Sequence, residues 1–216
     1  MSATNTRAGH SVHRIEALTD GIFAVAMTLL VIDLKVPEVA QVHSVSDLIQ
    51  AIANLSPKFL AWLISFLVLA LFWFGHHRTF GYVRQATGRL LALNLTQLAF
   101  VSLMPFSSAL IGQYGGVLFS QIVYGANMVA VAVFSLSISR YVYRHPELSS
   151  APMPLGAYRG SQIRIFALIT ISAIAVAIGA VSPGLGNIAF VLMAIVMPVS
   201  RRIEARINAK LQAPKT

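Results

Sequence analysis

The chain of 216 residues is 56% hydrophobic and only 11% charged, and it contains no cysteine. An ordinary soluble domain carries roughly 25% charged residues, so this composition, with a mean hydropathy of +0.73, excludes that class and points to burial in lipid, where charge is costly. The missing thiol excludes disulfides, thiolate metal sites and cysteine nucleophiles. The net charge of +9 lies in the connections between apolar segments, which reads as a membrane face rather than a nucleic-acid surface.

Residues 1–14 contain no apolar stretch before a small-residue cleavage site, so no cleaved signal peptide is expected. Six segments then reach the roughly 20 apolar residues that a crossing helix needs: 14–34, 58–76, 90–111, 117–139, 163–181 and 184–200. The second follows Ser56 and Pro57, a helix-start signal. The connection between the first two contains 44–54, with Val45, Leu48, Ile49 and Ile52 at the spacing of a short amphipathic helix. Pro105 should kink the third segment. Gly112 to Gly116 makes the turn into the fourth, and Ser182, Pro183 and Gly184 make the turn into the sixth. Residues 145–160, holding Pro146, Pro152 and Pro154, read as an irregular loop, and 203–216 as a polar tail.

Charge sets the orientation. Of 16 lysines and arginines, all but Lys35 and Lys58 gather at the N-terminus including the start of the first segment, between the second and third segments, between the fourth and the start of the fifth, or at the C-terminus. The positive-inside rule then places both termini in the cytoplasm, as an even number of spans requires. Asp33, Glu38 and Asp47 give the outer face an acidic excess that favours cations. The expectation is an all-α integral membrane protein of the cell inner (plasma) membrane, with 1–216 forming one six-helix unit. No nucleophile–base pair, phosphate loop or metalloprotease motif suggests an enzyme.

The first segment carries the chemistry. Arg14, Glu16 and Asp20 sit in its first two turns. Arg14 and Glu16 read either as membrane-edge residues or as functional ones. Asp20 begins roughly 9 Å further along the axis and is harder to place at a headgroup. At about 100° per residue, Val25, Leu29 and Ile32 fall within roughly 60° of one another, with Thr28 at their border and Asp20 about 120° from Ile32. One face is therefore bulky and apolar, suited to lipid or to another helix, while Asp20 faces a neighbouring helix.

Arg14 through Leu18, Thr19, Asp20 and Gly21 resembles the R-x-x-x-F-S-D-G signature of the transmembrane protein 175 family. Phe72, Trp73, Phe74, Gly75, His76 and His77 resemble its W-x-x-H-H element. Leu93 to Leu95 through Met104 to Phe106 resembles its third helix. Leu18 and Thr19 depart mildly from the usual Phe and Ser. The resemblance implies a potassium-permeable channel with six helices per subunit, assembled as a homotetramer around a pore lined by the first helix. Val25 would form the apolar constriction, with Leu29 and Ile32 as further pore-facing layers and Thr28 tied to potassium preference. Valine is smaller than the isoleucine or leucine common at that place, so the pore would be somewhat wider. A narrow apolar ring gates by dewetting.

Arg14, Asp20, Gly21, Trp73, His77 and Asn94 would form the signature and its supporting polar network. His76 and His77 read either as interfacial residues or as partners of Asp20 and Asn94, and His77 is the expected partner. Two adjacent histidines diverge by about 100°, so no structural metal site is expected, and no cofactor beyond the permeant potassium near Val25 and Thr28. The expected partners are copies of the chain, membrane lipid, and potassium or other monovalent cations. The competing function is a proton-coupled secondary transporter using Asp20 and His77; such proteins show paired interrupted helices, and no matched interruption is evident.

Overall fold

The computed structural model describes residues 11–36, 44–182 and 185–212, all helical or in short connections apart from one isolated β-bridge. Helix α1 spans Val12–Leu29 and tightens into a 3-10 turn at Leu30–Asp33. It is followed by α2 (Val45–Ala53), α3 (Ser56–Phe80), α4 (Gly88–Ser102), α5 (Met104–Gln113), α6 (Leu118–Arg144), α7 (Leu155–Val181) and α8 (Met193–Gln212). Among the described residues, five stretches are long and apolar enough to cross a membrane: Val12–Asp33, Ser56–Phe80, Gly88–Gln113, Leu118–Arg144 and Leu155–Val181.

Local chemistry accounts for the helix ends. Ser44 and Asp47 form a reciprocal capping box on α2, with backbone-to-side-chain bonds of 3.0 and 3.2 Å. The apolar residues Val45, Leu48, Ile49 and Ile52 of α2 stay exposed. Thr87 caps α4 by accepting from the Leu90 amide at 3.2 Å. Pro105 cannot donate to the carbonyl four residues back, and the third apolar segment is indeed divided there into α4 and α5.

Two expectations are corrected. Segment 184–200 is not one uninterrupted α-helix, because Gly186–Leu192 is a 3-10 segment and α8 begins only at Met193. Hydropathy averages apolar content and is blind to the hydrogen-bond pattern. The irregular loop expected at 145–160 is also partly helical, since α7 starts at Leu155 behind Pro154; α8 runs on through the polar tail to Gln212. A helix does not stop where its apolar stretch stops, since water satisfies the outer backbone as well. The turn expected at Pro183 and Gly184 lies outside the described residues.

Successive long helices run antiparallel. At one end, Thr19 and Asp20 of α1 lie level with Trp73 and His76 of α3 and Asn94 of α4. At the same end Thr87 meets Tyr141, and Ser139 meets Ser161. Helix α8 folds back on α7 so closely that a Cβ on Gly156 or Gly160 would strike Asn208 or Glu204. Glu204 is ion-paired with Arg78 and lies 3.9 Å from Arg164.

The connections at this end are joined as well, by Arg84 N–H to Leu148 O at 2.8 Å and Ser150 N–H to Tyr82 O at 3.0 Å. The main core gathers Phe23, Leu69, Leu98, Val101, Met104 and Met128. Helix association in lipid relies on packing and buried hydrogen bonds rather than on expelling water. The bond of 2.9 Å from Ser65 to Ser108 and that of 2.8 Å between Ser65 and Tyr124 serve this role inside the bundle.

Candidate functional site

Helix α1 buries Ile15, Thr19, Phe23 and Ala26, with Leu30 just beyond. Those positions recur every three or four residues and make one face. Two consecutive residues of the signature then fix the helix's rotation.

Thr19 is fully buried and donates its hydroxyl to the Ile15 carbonyl at 2.8 Å. Its oxygen accepts from Asn94 Nδ2 at 3.0 Å. Asn94 therefore presents its Oδ1 to His76 Nε2, 2.8 Å away. An oxygen in that position requires a donor, so this chain of bonds assigns the imidazole proton to Nε2. The His76 ring also stacks on Phe80, with centroids 4.1 Å apart.

Asp20, one residue on and about 100° around the helix, reaches α3 instead. Its Oδ1 accepts from the indole N–H of Trp73 at 2.8 Å. Helix α1 is thus held to α4 through Thr19 and to α3 through Asp20.

The histidine at Asn94 is His76, not His77. His77 is exposed and stacks on Trp73 at 5.8 Å. The reason is the rotation of α3: adjacent side chains diverge by about 100°, and the turn that buries Phe72 and Phe80 carries His76 inward with them. Arg14 is exposed, and its guanidinium joins no ion pair among the described residues. Gly21 is exposed, and a Cβ there would meet nothing within 4 Å, so packing inside the subunit does not demand glycine.

Two network members fall outside the expected set: Thr19, read in the sequence only as part of the signature, and His76, read as the alternative to His77. The signal for Thr19 was its place on the Ile15–Phe23–Ala26 face, where a polar side chain must find a partner.

The clamp leaves the opposite face of α1 uncovered by its own subunit. Val25 is 55% exposed, Leu29 42% and Ile32 62%. The 3-10 turn keeps them aligned: three residues make one full turn there, so Ile32 falls under Leu29. Thr28 lies beside them, exposed, and donates its hydroxyl to the Val25 carbonyl at 2.8 Å. An apolar groove of about 520 Å³ runs between this face and α4, lined by Leu18, Gly21, Val25, Leu29, Leu95 and Ala99 among others. Such a continuous apolar surface, with a carboxylate at one edge, belongs against lipid or other helices.

Comparison with known proteins follows the same residues. The family model described as "Endosomal/lysosomal potassium channel TMEM175" matches residues 14–105. A potassium channel of Streptomyces collinus is 33% identical over 159 residues, covering 72% of this chain and 75% of that one. A potassium channel of Chamaesiphon minutus is 40% identical over 101 residues, covering 47% of this chain and 49% of that one. The human endosomal/lysosomal proton channel TMEM175 is 37% identical over 102 residues, which is 45% of this chain but 20% of its own length.

The crystal structure of a TMEM175 homologue from Chamaesiphon minutus, described as a lysosomal potassium-selective channel homologue, superimposes with a TM-score of 0.57 at 26% identity, over 91% of this chain and 98% of that one. These relatives are ion channels and not enzymes. The matched stretch begins at Arg14 and contains the Thr19–Asn94–His76 and Asp20–Trp73 contacts, and the chain belongs to the TMEM175 family.

Proposed function

We propose that this chain is a potassium-permeable cation channel in which α1 of each subunit lines a central pore. The observation that carries the reading is the uncovered Val25–Leu29–Ile32 face, set opposite the side of α1 that Thr19 and Asp20 fasten to the bundle. Copies of this face turned toward one axis make an apolar constriction, and the relatives from Streptomyces collinus and Chamaesiphon minutus are named as potassium channels. A homotetramer of single six-helix subunits is the assembly this reading takes, as the family resemblance implies.

Val25 is the narrowest ring, and Leu29 and Ile32 extend it. Water leaves such a ring readily, and an ion that still needs its hydration shell is held back. The Thr28 hydroxyl donates to the helix backbone, so its oxygen lone pairs remain free to meet a partly dehydrated cation. Potassium is the permeant ion rather than a resident cofactor. Asp20, Trp73 and Asn94, with Thr19 and His76, act as the support that keeps α1 in register; Arg14 and Gly21 belong to the signature but are exposed and make no hydrogen bond to that support among the described residues.

Both termini take the cytoplasmic side of the inner (plasma) membrane. The arginines at 78, 84, 89, 140, 144 and 164 lie at the end of the bundle where Glu204 of α8 also sits, as the positive-inside rule asks. The sixth crossing is made by residues 186–200. Seven 3-10 residues and eight α-helical ones cover about 26 Å back along α7.

A proton-coupled transporter built on Asp20 and His77 has less support. The Trp73 indole bonds Asp20 and stacks on His77, so the two residues meet through an indole rather than directly.

The test is flux from liposomes containing the purified chain. Potassium efflux that follows the potassium gradient with no proton gradient supports the channel. Folded protein without potassium flux, or flux that requires a proton gradient, rejects it.

A further inference from the structure

Helices α4 and α6 meet at the basic end of the bundle, and three arginines converge there. Arg89 projects from the first turn of α4, while Arg140 and Arg144 project from the last turns of α6, four residues apart and so on one face. Together they line a groove of about 270 Å³ whose deeper wall is Leu93 and Ser137. The groove is built rather than accidental. Tyr141 is held by a 3.0 Å hydroxyl–hydroxyl bond to Thr87, and the Arg89 guanidinium lies over the Tyr141 ring at 5.6 Å. His145 stacks on the same tyrosine at 4.2 Å.

No carboxylate answers these charges: among the described residues the ion pairs are those of Glu204 with Arg78 and Arg164, and neither involves this groove. Three unpaired guanidinium groups around one cavity suit an anion with several acceptor oxygens, and phosphate matches them best.

What lies below the arginines selects the source of that phosphate. Moving toward the middle of the membrane, the α4–α6 seam turns apolar. Leu93 is followed by the stacked pair Phe100 and Phe134, with centroids 5.7 Å apart, and by Val133, which is 43% exposed. A charged rim above an aliphatic and aromatic strip matches an amphiphile, headgroup at the surface and chain along the helices.

We propose that this groove binds the headgroup of an anionic membrane phospholipid, with the phosphate between Arg89, Arg140 and Arg144 and an acyl chain along the α4–α6 seam. The inference is independent of which helix lines a pore, since it uses the outer ends of α4 and α6 alone.

The test uses the full chain in detergent with equal amounts of phosphatidylglycerol and phosphatidylcholine of matched acyl chains, bound lipid being counted by native mass spectrometry. Each basic residue near an anionic lipid contributes about fivefold, so phosphatidylglycerol should be retained at least about tenfold over phosphatidylcholine. Arg89→Gln, Arg140→Gln and Arg144→Gln combined should lose one phosphatidylglycerol per chain. Lysine at the same three places should keep it, which shows that charge and not folding is read. Inorganic phosphate, compared with chloride at matched ionic strength, should not displace the lipid. Equal retention of the two lipids, an unchanged count in the glutamine variant, or equal loss in the glutamine and lysine variants overturns the site. Displacement by inorganic phosphate overturns its assignment to lipid.

Discussion

The indole N–H of Trp73 donates to Oδ1 of Asp20 at 2.8 Å, joining α3 to α1 across 53 positions of sequence. Because Thr19 is tied at the same level to Asn94 of α4, α1 cannot rotate about its axis without breaking one of the two contacts. The rotation of α1 decides which residues face outward from the subunit. Trp73→Phe keeps an aromatic ring, smaller than the indole, and removes the donor. It should lower stability by about 1 kcal/mol, the Asp20 carboxylate being exposed. Thermal unfolding in detergent reads this; a melting temperature equal to the wild type would show that the bond does not hold α1.

The buried chain from His76 through Asn94 to Thr19 should cost more to break. Asn94→Ala leaves a buried histidine donor and a buried threonine oxygen without their partner, a loss of about 2–4 kcal/mol. His77→Ala removes only an exposed ring stacked on Trp73 and should cost well under about 1 kcal/mol. Comparing the two melting curves separates the histidines, and an inverted order of effects contradicts the assignment.

Val25→Asn places an amide on the uncovered face and should wet the constriction. Liposome potassium flux should rise severalfold, with unfolding unchanged because residue 25 packs against little inside its own subunit. Flux identical to the wild type would remove Val25 from the pore.

Thr28→Ala deletes the one hydroxyl beside Val25, Leu29 and Ile32 on that face. Bi-ionic measurements should show a weaker preference for potassium over sodium, while total cation flux persists. An unchanged permeability ratio would assign selectivity elsewhere.

Glu204→Gln should loosen α8. Its carboxylate is 13% exposed and sits between Arg78 and Arg164, so neutralising it leaves two arginines facing each other. A destabilisation of about 2 kcal/mol, below the cost of breaking a fully buried pair, is expected. Limited proteolysis should cut within Met193–Gln212 faster than in the wild type; equal cleavage rates would mean that the pair does not anchor the helix.

Much of this was legible in the residues. Hydropathy locates the membrane segments because a span must satisfy its backbone internally and cover it with apolar side chains. The fixed step of 100° per residue sorts α1 into a face with Val25, Leu29 and Ile32 and another with Asp20. What stayed illegible involves α3 and the end of the chain. A membrane helix is apolar both toward lipid and toward protein, so pattern alone does not reveal its rotation. That is why the sequence pointed to His77, whereas the rotation of α3 brings His76 to Asn94. Segment 184–200 posed the same difficulty, since its composition suits a 3-10 segment and an α-helix equally.

Composition and the repeat of a single helix are enough to place the chain in a membrane, to mark its basic end and to divide the residues of α1 around the axis. Which histidine reaches Asn94, the hold of Trp73 on Asp20, and the link that Glu204 makes from α8 to α3 and α7 come from the packing of the helices. Those contacts depend on the rotation and depth of one helix against another, and neither quantity is written in the local pattern of either helix.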